Sequence, residues 1–249
     1  SEESIVLSEE ALAAVPEYLA KNFGPSFQTE QEAQALERAV CTGIHENRRL
    51  LLTDGLPTSA YEDGSPRAAA LSASRERNLQ MLEENEASAR QGIRSIEQAF
   101  RNALILRDQP DVYQSDCGVL VNSALWKVGR CEEPKLFQKI VRQDQSTVVV
   151  ELLIDASGSQ AVRQPMVALQ SYLFSAALSR IKIPHRVMSY CTYGDHTVLC
   201  RFRDYDSPAP ADRRILEYRA TSNNRDGLAL AAAGADLLRR REEHKILIV

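Results

Sequence analysis

Residues 151–159 read ELLIDASGS and follow directly on the run TVVV. The steep apolar stretch is broken by Asp155, Ser157 and Ser159, three oxygen-bearing side chains at alternate positions. One carboxylate and two hydroxyls are hard donors, and a small set of them completed by water is what Mg2+ accepts. Gly158 lets the chain turn tightly enough to direct both hydroxyls inward. A capped helix start would account for one such residue, since Ser and Asp favour caps and turns. It does not account for three in alternation at the end of a strand.

Other chemistries find less support. DASGS lacks the G-x-S-x-G of a nucleophile elbow, which makes Ser157 a poor catalytic serine. It also lacks the second Asp, two residues on, of a phosphoaspartate-forming hydrolase. No G-x-x-x-x-G-K-[ST] occurs, so work driven by ATP must come from a partner. His45, His185, His196 and His244 are far apart and show no metal spacing. Cys41, Cys117, Cys131, Cys191 and Cys200 are scattered, odd in number and form no C-x-x-C, which fits reduced thiols rather than a zinc site. The net charge of −4 argues against nucleic acid, because no excess of cations exists to displace counterions. No apolar run reaches the roughly 20 residues of a membrane span. The start, SEESIVLSEE, lacks the pattern of a signal peptide, and a cytoplasmic location is expected.

The elements that must position Asp155 are legible as a change of texture at Thr147. Val148–Ile154 is apolar but for Glu151 and rich in β-branched residues, as a strand buried on both faces of a parallel sheet should be. Met166, Leu169, Leu173, Phe174, Ala177, Leu178 and Ile181 predict a helix. HRVMSYCTY and HTVLCRF flank Gly194-Asp195 as a hairpin. GLALAAAGADLLRRR reads as a second helix and KILIV as another buried strand. This order predicts an α/β fold with a Rossmann-like open sheet, in which ligands sit outside the carboxyl ends of the strands.

From about residue 8 to 106 the signals are helical. Thr29 and Glu32 stand at capping-box spacing, ahead of a face formed by Leu36, Val40 and Ile44. Leu79, Leu82, Ala89, Ile93, Ile96, Phe100 and Leu104 form an apolar stripe broken only by Glu86 and predict one long amphipathic helix, with Glu83 and Glu84 on its solvated side. Residues 56–74 are expected to form a loop. RRLLLTDGLP, residues 48–57, is expected to close a helical hairpin and then turn. The chain thus divides into a helical region 1–110, a linker 111–146 with Trp126 as its packing anchor, and an α/β domain 147–249.

Asp-x-Ser-Gly-Ser after an apolar strand resembles the metal-ion-dependent adhesion site of von Willebrand factor A domains. In that family a second loop supplies a Thr or similar ligand. Aligning Gly227 and Ala229 of ATSNNRDGLAL with the family's Gly and Ala puts Asn224 where Thr commonly sits, with Thr221 and Asp226 close by. The resemblance thus implies a metal set drawn from Asp155, Ser157, Ser159, Thr221, Asn224 and Asp226, holding Mg2+ or else Mn2+ or Ca2+. The family's third motif is an Asp directly after the next strand, expected just past Val249, so the domain reads as truncated there. Asp54 in TDG mimics that motif, but lies upstream and would require a circular permutation.

The run FQKIVRQDQSTVVVELLIDASGSQ, with GVLVNSALWKVG before it and NNRDGLAL behind, resembles the bacterial CobT/NorD-type group of cobaltochelatase-subunit-like and nitric-oxide-reductase-activation-like proteins. Gln160 departs from the group's usual Met. The resemblance implies a non-catalytic adaptor that works with a MoxR-type AAA+ ATPase in metalloenzyme activation or metal insertion. A target protein would then supply a carboxylate to the metal. Two other readings are a chelatase subunit contacting a tetrapyrrole, against which stands the lack of a basic and aromatic cluster, and a scaffold with a vestigial metal site.

Overall fold

A computed structural model describes residues 9–56, 64–107, 111–115, 117–130, 135–141 and 147–249. The acidic start, residues 57–63 of the expected loop, Cys131 and the side chain of Leu104 lie outside the described residues. In chain order the elements are α1 (Glu9–Phe23), α2 (Glu30–Val40), β1 (Arg49–Thr53), α3 (Pro66–Glu84), α4 (Glu86–Arg107), β2 (Asp111–Ser115), β3 (Val119–Leu120) and β4 (Phe137–Val141). There follow β5 (Val148–Asp155), α5 (Gln164–Arg180), β6 (His185–Tyr193), β7 (His196–Arg203), α6 (Asp226–Leu237) and β8 (His244–Ile248). Short 3-10 segments include Gly43–His45, Asn122–Lys127, Gly158–Arg163 and Ala209–Glu217.

The main sheet has five strands in the order β1-β7-β6-β5-β8. β5 runs parallel to both β6 and β8, and β7 returns antiparallel to β6 through the tight turn at Gly194, whose φ is +57°. Side chains alternate across the sheet with period two. Leu152, Ile154 and Ala156 therefore join Val15 and Leu19 of α1, Ala168 of α5 and Ile215 on one face. Leu153, Met188 and Tyr190 pack on the other with Leu36 of α2 and Leu228 and Ala232 of α6. The result is the expected α/β, Rossmann-like open sheet, mixed but mostly parallel, with helices on both faces. Among the described residues no helix is long and apolar enough to cross a membrane.

Three element assignments need correction. Arg49–Thr53 is not the end of a helical hairpin but an edge strand, pairing parallel with β7 from Arg49 opposite His196 to Thr53 opposite Cys200. Its Leu50 and Leu52 enter the α6 face and Leu51 the other. A run of three leucines carries no period that separates helix from strand, and the waiting edge of β7 decides. The long helix is two, because Asn85 caps α3 with its amide N–H on the Glu83 carbonyl and α4 starts afresh at Glu86. Within the expected loop, Pro66–Ser74 is already α3, started by Ser65, whose hydroxyl accepts from the Ala68 amide N–H at 3.0 Å. Pro at the first helical position loses nothing, since that N–H has no intrahelical partner.

The capping box at Thr29 forms as read, with the Thr29 amide N–H donating to Glu32 Oε2 at 2.9 Å. Ile44, expected on the α2 stripe, falls past the helix end and is 88% exposed. Residues 111–141 build a separate antiparallel sheet in the order β2-β4-β3. Trp126 is 60% exposed there and does not serve as the packed anchor expected of it. The helices of the N-terminal half lie against the sheet's helical layers: α3 and α4 on α5, and α2 on α6.

Candidate metal centre at the carboxyl edge of β5

Asp155 is the last residue of β5 and stands opposite Tyr190 of β6. The strand is buried up to that point because both its faces are covered, and the chain must then leave the sheet. It does so through an alternating chain of oxygens. Ser157 Oγ donates to Asp155 Oδ2 at 3.0 Å and lies 2.8 Å from Ser159 Oγ. The Ser157 amide N–H donates to Asp155 Oδ1 at 2.8 Å, which fixes the second carboxylate oxygen. Gln160 Nε2 reaches Asp155 Oδ2 at 3.4 Å. Ser157 is only 4% exposed while Ser159 is open to solvent, so the cluster has a buried root and an accessible rim.

The second loop is held against the first by its backbone. The Gly158 amide N–H donates to the Ser222 carbonyl at 2.7 Å, and that of Thr221 to the Ala156 carbonyl at 2.6 Å. A Cβ at position 158 would stand 3.3 Å from the Ser222 oxygen, which explains a residue without one at this approach. Ser222 takes a φ of +49°, turning the chain back so that Asn223 can bridge to Thr192.

The three second-loop candidates part company. Asp226 opens α6, and its Oδ1 accepts from the Tyr190 hydroxyl at 2.9 Å. Because Asp155 faces Tyr190 in register, that phenol lies between the two loops' carboxylates. Burial, the Asp226 hydrogen bond and both negative charges hold the Tyr190 hydroxyl well above its ordinary range. Thr221 turns to the other face of the sheet, where its hydroxyl meets Cys191 Sγ at 3.6 Å. There it lines a cavity of about 60 Å3, together with Phe23, Leu71, Ala156, Cys191 and Arg219. Asn224 is exposed at the loop's tip. Asp54 lies three strands away, about 14 Å at the usual strand spacing. It is taken by Arg201, with contacts of 2.7 and 3.0 Å.

Sequence reasoning missed Tyr190, which reads as one more apolar strand residue, and Tyr218, whose hydroxyl donates to the Asp155 carbonyl at 2.6 Å. Burial and the charge of Asp155 push the Tyr218 hydroxyl up as well. The sequence also gives no sign of the cationic margin. Arg225 precedes Asp226, and its pKa is lowered by burial and by the positive charge of Arg48. His45 lies against Gly227, where a Cβ would come within 3.1 Å of its Nε2.

The donor set can be tested against candidate ions. Among the described residues no three of His, Cys, Asp and Glu come together. A zinc or soft-metal site would need such a group. Asp155, Ser157 and Ser159 offer only hard oxygen and leave much of any ion's shell to water, which is the habit of Mg2+ rather than of Ca2+. No protein-family model, no curated protein and no solved structure matches the chain.

Proposed function

We propose that the chain is a cytoplasmic, non-catalytic adaptor whose 155–159 and 221–226 loops hold Mg2+ and bind a partner's carboxylate through it. The observation that carries this reading is the convergence of Asp155, Ser157 and Ser159 within 2.8–3.0 Å contacts at the rim of the sheet. Asp155, Ser157 and Ser159 are the direct holders, and Asp226 is the second-loop acid on the same face. Thr221 drops behind it by the direction of its hydroxyl, whereas Asn224 is exposed at the rim as Asp226 is and stays a candidate.

The residues' roles follow from their bonds. The Ser157 amide N–H keeps the Asp155 carboxylate in one orientation, and the Tyr190 hydroxyl does the same for Asp226. Both acids are thus pre-set, which lowers the ordering cost of binding. The ion supplies a charge and a coordination position open to an incoming carboxylate, a charge-assisted contact of directional character. Arg225, next to Asp226, favours an acidic visitor over a basic one, while Arg48 beside it is paired with Asp195. On the resemblance to the CobT/NorD-type group, the associated motor is a MoxR-type AAA+ ATPase and the target a metalloenzyme undergoing activation or metal insertion.

The test is calorimetric titration of Mg2+ and Mn2+ into the protein beside Asp155→Ala. Heat that the substitution abolishes is expected, followed by EDTA-sensitive capture of the AAA+ partner. A flat titration for the unsubstituted chain would make the loop a turn and nothing more. Capture that persists in EDTA and in Asp155→Ala would favour the scaffold reading.

A further inference from the structure

The segment that feeds the second loop, Leu216–Thr221, belongs to no strand among the described elements, yet Leu216 and Tyr218 are fully buried and the rest half-buried. Buried backbone polar groups must find partners. Here side chains from two other elements supply them. Asn78 of α3, with no exposed surface, donates through Nδ2 to the carbonyls of Leu216 and Tyr218, each at 2.9 Å. Its Oδ1 accepts from Gln164 Nε2 at 3.2 Å. Gln164, the first residue of α5, also donates to Ser74 Oγ at 2.7 Å, and its Oε1 accepts from the Ala220 amide N–H at 3.2 Å. Tyr218, gripped at its carbonyl by Asn78, reaches on with its hydroxyl to the carbonyl of Asp155.

From this we infer that Asn78 is a positioning residue which, with Gln164, fixes the 219–224 loop relative to the 155–159 loop, so that the N-terminal helix α3 sets the geometry of the candidate metal centre. The proposal rests on the reading of those loops as a site, but its geometric part stands apart from whether an ion binds. Backbone bonds already hold residues 221–223 to Ala156, Gly158 and Thr192, and the physical case is that Asn78 and Gln164 hold the buried segment that leads into them. Two loop carbonyls meet a single amide that is buried together with them. That amide sits on a helix 138 and 140 residues away in sequence, so local structure cannot replace it. Removing the amide leaves two buried acceptors unpaired, and the loop can recover them only by moving toward water. Tyr218 moves with it and releases the Asp155 carbonyl.

The experiment uses Asn78→Ala and Gln164→Met, the latter keeping the side chain's shape and serving if the former fails to fold. Ile93→Ala in α4, at a position 5% exposed, is the control for lost stability alone. Amide hydrogen exchange is followed over residues 155–159 and 219–224, and Mg2+ affinity is measured by titration. Both variants should speed exchange in both loops and weaken Mg2+ by tenfold or more, the usual effect of losing an outer-shell partner. Ile93→Ala should lower Tm and leave both readouts unchanged. Unchanged exchange in the loops would overturn the proposal, as would faster exchange with Mg2+ affinity intact. If the unsubstituted chain binds no Mg2+ while the variants still loosen both loops, the positioning role holds and the metal reading falls.

Discussion

Replacing Tyr190 by Phe removes one oxygen and nothing else of substance. The ring stays in the core with Leu153, Met188 and Leu228, so no cavity is created. The lost interaction is the 2.9 Å donation to Asp226 Oδ1. Hydrogen bonds to charged groups contribute about 1.5–3 kcal/mol when shielded. Asp226 is exposed, and water replaces the phenol there, so the expected loss is about 1 kcal/mol. For a chain of this size that is a fall in Tm of about 2–4 °C, measured by calorimetry at neutral pH. The decisive arm is a double-mutant cycle. In an Asp226→Ala background the Tyr190→Phe change should cost almost nothing, because the partner is already gone. Equal costs in the two backgrounds would refute the pairing of Tyr190 with Asp226, and with it the claim that the phenol orients the second-loop acid.

The buried ion network below the site gives a second test. Glu151, with no exposed surface, holds Arg186 Nε through both carboxylate oxygens at 2.9 Å, and Arg186 also pairs with Asp236. Glu151→Leu should cost about 3–5 kcal/mol in urea unfolding by stranding a buried charge, and adding Arg186→Met should recover most of it. A double variant no better than the single one would show that the pair's worth is not electrostatic. A third test is alkaline stability. Burial first, and then a neighbouring carboxylate, raises the hydroxyls of Tyr190, Tyr205 and Tyr218 above their ordinary value of 10.0. The unfolded chain gives up those protons first, so this stabilisation is complete below pH 10 and lost as pH rises beyond it. Each tyrosine contributes a slope of about 1.4 kcal/mol per pH unit, and Tyr218→Phe should reduce the total slope by one such share. An unchanged slope would mean that Tyr218 ionises alike in both states.

What the sequence determined by itself is what lies within one period or one turn. β5 was legible because a run of seven residues apolar but for Glu151 can be satisfied only where both faces are covered, and the hairpin because Gly194 sits between two alternating runs. The cluster at Asp155, Ser157 and Ser159 was legible for the same reason. Its contacts span two residues each, and local chain geometry forces them. The tertiary structure decided everything that depends on pairing across long separations. RLLLT became a strand because the edge of β7 lay open to it, and Asn85 divided a continuous apolar stripe in two. In the second loop, Asp226 bonds a tyrosine 36 residues earlier, and the Thr221 hydroxyl meets Cys191 on the other face of the sheet. Asn78 had no signature at all, since a lone amide in a helix reads as solvated until the carbonyls that need it are known. Side-chain period reports which way a residue faces along its own element, whereas the partner it meets depends on how the elements are brought together.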